Sequence, residues 1–162
     1  MLSPDGASLA FTATGADGKI TIWVRSMNSL EAHSLAGTEG AVFPFWSPDS
    51  RSLGFFADGK LRTVEIDGGS VQTVADAPFG RGGAWGADGA IVFSPGTTEP
   101  LVRANITGGP VSPVTHVDTA QHTSHRWPFF FPDGKHFVYL AINHDASVVK
   151  YLSVSSELSQ LN

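Results

Sequence analysis

The densest group of side chains able to do chemistry lies in one stretch, "HVDTAQHTSHR" at 116–126, closed by Trp127. His116, Asp118, His122, His125 and Arg126 all fall within it. His122 and His125 are three residues apart, and two imidazoles with a carboxylate form a donor set for zinc or a similar cation. The bland reading has the same histidines hydrogen-bonding backbone to hold a loop, and it is the one expected here. Glu39, Asp76 and Asp118 recur at wide intervals, and carboxylates brought together hold calcium through their oxygens. Arg81 sits in "GRGGAWG" at 80–86, a glycine-rich run that fits neither a phosphate loop nor a dinucleotide fingerprint. No Gly-x-Ser-x-Gly elbow occurs, and the absence of cysteine removes thiolate nucleophiles and thiolate metal sites.

These residues need elements to position them, and the chain writes one element four times. "LSPDGASLAF" near the start is echoed by "FWSPDSRSLGFF", "WGADGAIVF" and "FFPDGKHFVYL". The turn aspartates Asp5, Asp49, Asp88 and Asp133 are spaced by 44, 39 and 45 residues. An aromatic precedes three of the turns (Trp46, Trp85, Phe130), and an apolar run ending at Phe11, Phe55, Phe93 or Tyr139 follows each. Proline presets the first corner of a type I turn, aspartate bonds nearby amides, and glycine accepts the left-handed angle. Ser50 stands where the other copies have glycine, and Ala87 where they have proline.

Between these turns and the Gly68–Gly69 and Gly108–Gly109 pairs lie runs that alternate like half-buried strands. They are "ITIWVRS" at 20–26, "KLRTVEI" at 60–66, "PLVRANI" at 100–106 and "VVKYLSV" at 148–154. A period of about 40–45 residues with four strands per copy is that of a propeller blade. The expected fold is therefore all-β: a β-propeller of about four blades, each of four antiparallel strands. The chain reads as a single segment, 1–162, with approximate repeats 1–40, 41–80, 81–122 and 123–162. Trp23, Trp46, Trp85 and Trp127 recur with the blades and are expected to pack between them.

The "SPDG" turn followed by a short aliphatic-aromatic strand resembles the WD-repeat-like propeller repeat of TolB-type proteins. "GTEGAVFPFWSPDSRSLGFFADGKL" and "TSHRWPFFFPDGKHFVYL" are similar to propellers fused behind bacterial serine/threonine protein kinases. That resemblance implies a non-catalytic binding or interaction module, a sensor fragment or a self-assembling ring, with no cofactor. Propeller lactonases imply the alternative, a metal-dependent hydrolase using calcium or zinc at the channel mouth. Ligand contacts at that mouth are expected from Glu39, Arg81, His122, His125, Arg126 and Trp127. The metal set of the alternative is Glu39, Asp76, Asp118, His122 and His125.

Composition narrows the partners. Of 162 residues 41% are apolar and only 15% charged, with 18 Gly and 10 Pro, which suits short strands and many turns. The net charge of −5 and the lack of any Lys/Arg run argue against nucleic acid. No apolar stretch nears the roughly 20 residues of a membrane-spanning helix. The start has no signal-peptide pattern, so the expectation is a cytoplasmic chain, or an extracytoplasmic one if it is part of a sensor kinase. The first copy lacks an inner strand and the last has little left for an outer one. The ring is thus expected to be incomplete in one chain and closed by self-association, with a protein or small molecule as ligand.

Overall fold

A computed structural model describes residues 1–120 and 123–143 in full and the backbone of 152–157. Fourteen strands form four antiparallel sheets that follow one another along the chain, and no helix occurs among the described residues. The first sheet holds β1 (Ser8–Thr14), β2 (Ile20–Ser26) and β3 (Ala32–Ser34). The second holds β4 (Val42–Trp46), β5 (Ser52–Ala57), β6 (Lys60–Glu65) and β7 (Gln72–Asp76). The third holds β8 (Gly83–Trp85), β9 (Ala90–Phe93), β10 (Val102–Asn105) and β11 (Ser112–Pro113). The fourth holds β12 (Ser124–Phe130), β13 (His136–Ile142) and β14 (Leu152–Glu157). Of the expected "VVKYLSV" strand, 152–154 fall in β14, and 148–151 lie outside the described residues.

One turn design leads into β1, β5, β9 and β13. The amide of the fourth turn residue donates to the carbonyl of the first: Gly6 to Ser3, Ser50 to Ser47, Gly89 to Gly86 and Gly134 to Phe131, at 2.9 to 3.1 Å. Each aspartate Oδ1 accepts the amide two residues on, from Ala7, Arg51, Ala90 and Lys135. In the first two copies Ser3 and Ser47 also donate their hydroxyls to that oxygen. These bonds favour the ionised carboxylate and lower the pKa of Asp5 and Asp49, the serine hydroxyl acting most strongly. In the fourth copy Phe131 replaces the serine and His136 substitutes for it. Its amide and its ring nitrogen, 2.6 Å from Oδ2, together with the Lys135 amide, bring Asp133 down to about 2.

Ser50 adopts the left-handed angle its glycine counterparts use, at φ 62°. A side chain at such an angle carries strain, offset here by a new bond. Its Oγ accepts the Asp5 amide at 3.1 Å, tying the second sheet to the first.

The core consists of three layers, each between consecutive sheets. Ala10, Ile22, Val24 and Leu35 of the first sheet region meet Trp46, Leu53, Phe55 and Val64 of the second. Phe45, Phe56, Leu61 and Ala75 of the second meet Ile91, Phe93 and Ala104 of the third. Val92, Leu101 and Val114 of the third region meet Phe137, Tyr139 and Ala141 of the fourth. Neighbouring residues of one strand thus face opposite layers: Phe55 looks back and Phe56 forward, Ile91 back and Val92 forward. The period of two along a strand makes this possible. The four sheets do not close a ring.

Candidate functional site

The end of the stack opposite the aspartate turns gathers the connections from each outer strand to the next inner strand. The register fixes this, since Ala57 pairs with Lys60 and Lys60 with Asp76 at that end. Each inner strand there begins with an irregularity that the sequence reading did not anticipate. Phe43, Gly82 and Trp127 lie three residues before Trp46, Trp85 and Phe130, and all three have left-handed φ, at 50°, 89° and 49°. Register shifts between Val42 and Phe45 and between Arg126 and Phe129 record bulges in β4 and β12. Pro44 and Pro128, which follow the two aromatic members, have no amide for the ladder. A positive φ at a bulky aromatic is costly and clusters at functional positions.

Trp127 is 45% exposed although it lies on a strand that packs into the core. Its amide donates to Arg81 O at 3.0 Å, so the glycine-rich "GRGGAWG" run forms its seat. A Cβ on Gly82 would stand 2.5 Å from Trp127 Cδ1 and 3.1 Å from its Cα, so only glycine fits beneath the indole. Arg81 holds its own place through its amide to Ser94 O at 3.1 Å.

Arg126 donates Nε–H to Ser124 Oγ and Nη2–H to Thr97 O, both at 3.1 Å, reaching from the fourth sheet to a third-sheet loop. Burial lowers its pKa first, and the positive charge of Arg81 adds to that. Arg81 and Arg126 belong to successive sheets, the charge of Arg81 is felt at Arg126, and the Arg81 side chain donates Nη1–H to Gly80 O at 3.2 Å.

The other expected site residues are placed differently. His125 is fully buried between the third and fourth sheets, with its amide on Glu99 O, Nδ1 2.8 Å from Thr115 Oγ1 and its ring 4.6 Å from that of Tyr139. The same burial raises the Tyr139 pKa. Glu39 and His116 are exposed, and Asp118 Oδ1 accepts the Ala120 amide. Asp76 pairs with Lys60. Among the described residues no three His, Asp or Glu side chains gather as a metal set. His122 lies outside the described residues. The expected tryptophan packing holds best at Trp46, which is buried and donates its indole N–H to Met1 O at 3.1 Å across the first layer.

A groove of about 670 Å3 opens at the other end, the turn end, between the second and third sheets. Asp49, Thr63, Glu65, Gln72 and Trp85 are among its lining residues. Its physical origin is an irregular third repeat. The Gly86 amide bonds Ala90 O, a hairpin one residue shorter than that from Ser47 to Ser52, and Gly86 and Ala87 fill little space.

Four successive antiparallel sheets, stacked face against face and each carrying an aspartate turn before one of its strands, define the β-propeller class. In fold the chain is similar to solved TolB-type and WD-repeat propellers. A TolB-type protein of Agrobacterium tumefaciens superimposes with TM-score 0.75 at 22% identity, over 90% of this chain and 54% of that one. TolB from Acinetobacter baumannii gives TM-score 0.75 at 14% identity, over 98% of this chain and 40% of that one. The β-propeller domain of Cps50 (Swd1) from Myceliophteria thermophila gives TM-score 0.65 at 16% identity, over 97% and 55%. The chain thus spans about half the length of these propellers or less. No protein-family model and no curated protein matches it. Among the described residues no helix is long and apolar enough to cross a membrane.

Proposed function

We propose that this chain is a non-catalytic binding module whose mouth, at the junction of the third and fourth blades, takes an acidic, aromatic-bearing segment of a partner protein. One observation carries the reading: the charge of Arg81 is felt at Arg126 of the next blade, and Trp127, whose amide donates to Arg81 O, is 45% exposed on strained backbone. The guanidinium pair supplies charge-assisted hydrogen bonds to carboxylates, and Trp127 supplies a flat apolar face. Binding on loops held by a rigid scaffold is the ordinary arrangement for such folds. The "TSHRWPFFFPDGKHFVYL" stretch, which contains Arg126 and Trp127, also carries the likeness to propellers behind bacterial kinases. On that likeness the module is the sensing segment of a receptor kinase.

The test uses a fluorescein-labelled peptide of alternating Glu and Phe, with a second peptide in which Lys replaces Glu. Anisotropy should report binding of the acidic peptide alone, weaker in high salt and reduced at least tenfold by Arg81→Gln. Equal binding of both peptides, or an unchanged affinity in Arg81→Gln, would overturn the reading.

A further inference from the structure

The layer between the second and third blades changes character along its length. At the mouth end Phe56, Leu61 and Phe93 fill it. Toward the turn end the same side of the second blade becomes polar. Leu61 packs on the third blade, and the period of two puts Thr63 and Glu65 on that side of β6. Ser52 stands opposite Glu65, and Gln72 opposite Thr63. All four line the groove of about 670 Å3 that opens there.

The first layer shows what this place holds when it is filled. Ala10 pairs with Val24 there as Gly54 pairs with Thr63 here, and Val24 is buried against the second blade. Trp46 is buried in that layer and donates its indole N–H to Met1 O. Trp85, the matching residue before the third turn, is half-buried, lines the groove and makes no such bond. Thr63 is only 9% exposed, yet its hydroxyl has no hydrogen-bond partner in the described structure. Withdrawing a hydroxyl from water without a partner is unfavourable, and a valine would occupy the same space. The hydroxyl therefore points to a ligand that engages it.

Charge narrows the occupant. Asp49 and Glu65 are exposed carboxylates of the lining, and no Lys or Arg lines the groove among the described residues. Arg51, whose charge reaches Asp49, is not a lining residue. Asp49 Oδ1 is engaged by Ser47 and by the Arg51 amide, which leaves Oδ2 to a ligand. An ammonium group donates to carboxylate and hydroxyl oxygens, and an indole face attracts a cation and covers an alkyl stem. The groove's volume is that of a small-molecule site.

We propose that this groove binds a primary ammonium group carried on a short alkyl stem, held by Glu65, Asp49 and the Thr63 hydroxyl, with the stem against Trp85. The site is independent of the mouth, which lies at the other end of the sheets between the third and fourth blades.

Isothermal titration calorimetry of the full chain with diaminobutane should give one site with a Kd of about 1 mM or tighter. Butanediol, of equal length and uncharged, and glucose, a neutral polyol, should not bind. Glu65→Gln should weaken the diamine at least tenfold. Glu31→Gln, which removes the same charge from an exposed position of the first blade, should leave its affinity unchanged. Thr63→Val should weaken it severalfold while melting no lower than the unaltered chain, which separates a lost contact from a lost fold. Acetyl-lysinamide, run alongside, distinguishes the sources. Tighter binding than the diamine assigns the ammonium to a lysine side chain of a partner, and weaker binding assigns it to a free amine. No binding of either amine at about 10 mM, or butanediol or glucose binding as tightly, would overturn the proposal. So would equal losses in Glu31→Gln and Glu65→Gln, or an unaltered affinity in Thr63→Val.

Discussion

The second and fourth blades share one repeat but live in different surroundings. In β5, "SLGFFA", five successive residues are buried, because the first blade covers one face and the third covers the other. In β13, "HFVYLAI", burial alternates, since Phe137, Tyr139 and Ala141 are buried and Val138, Leu140 and Ile142 are half-buried. Yet β13 is as apolar as β5. A strand buried on both faces reads as a continuous apolar run, whereas a half-solvated one alternates with polar residues. The sequence of β13 suits a strand covered on both faces, and among the described residues the third blade supplies one cover.

The largest expected effect tests this contrast directly. Phe55→Ala should cost about 3–5 kcal/mol in denaturant unfolding, as removal of a fully enclosed ring does. Phe11→Ala, at the equivalent but only half-buried position of β1, should cost under about half of that. Equal losses would mean that the two ends of the stack are as well packed as its middle.

A second test contrasts two glycines of similar φ. Gly82→Ala, at φ 89° under the Trp127 ring, should cost about 2–3 kcal/mol, from the backbone angle and from displacement of the indole. Gly18→Ala, at φ 78° with open space around its would-be Cβ, should cost only about 1 kcal/mol. Thermal melting checks both, and a Gly82→Ala variant no worse than Gly18→Ala would remove the seat assigned to Trp127.

The smallest effect distinguishes the fourth turn from the others. Folding lowers the Asp133 pKa from 3.8 to about 2, so the ionised carboxylate favours the folded form. That contribution is complete above pH 3.8 and fades as pH falls through about 2. Asp133→Asn should therefore narrow the gap in melting temperature between neutral and acid solution, with most of the difference appearing between about pH 4 and 2. A gap as wide as that of the unaltered chain would assign the acid sensitivity to Asp5 and Asp49 alone.

Much of the scaffold was legible because its signals are local. A proline, an aspartate and a residue able to adopt a left-handed angle fix a turn within four positions, and the alternating runs fix strands beside it. β2 falls on the predicted 20–26, and β6 covers all but the last residue of 60–66. The mouth was less legible. His125 was expected first to hold its loop and only second to meet a ligand beside His122, and its register with Ala141 turns it into the layer against the third blade. The bulges at Phe43 and Trp127 were foreshadowed only by the prolines after them.

By itself the sequence determined a repeating hairpin with one aromatic-rich face per strand, because turn chemistry and a period of two act over a few residues. Only the tertiary structure decided which faces found a cover and which charges met. Arg81 and Arg126 come from different repeats, and nothing along the chain states that stacking the blades will let the charge of one reach the other or join the Trp127 amide to Arg81 O.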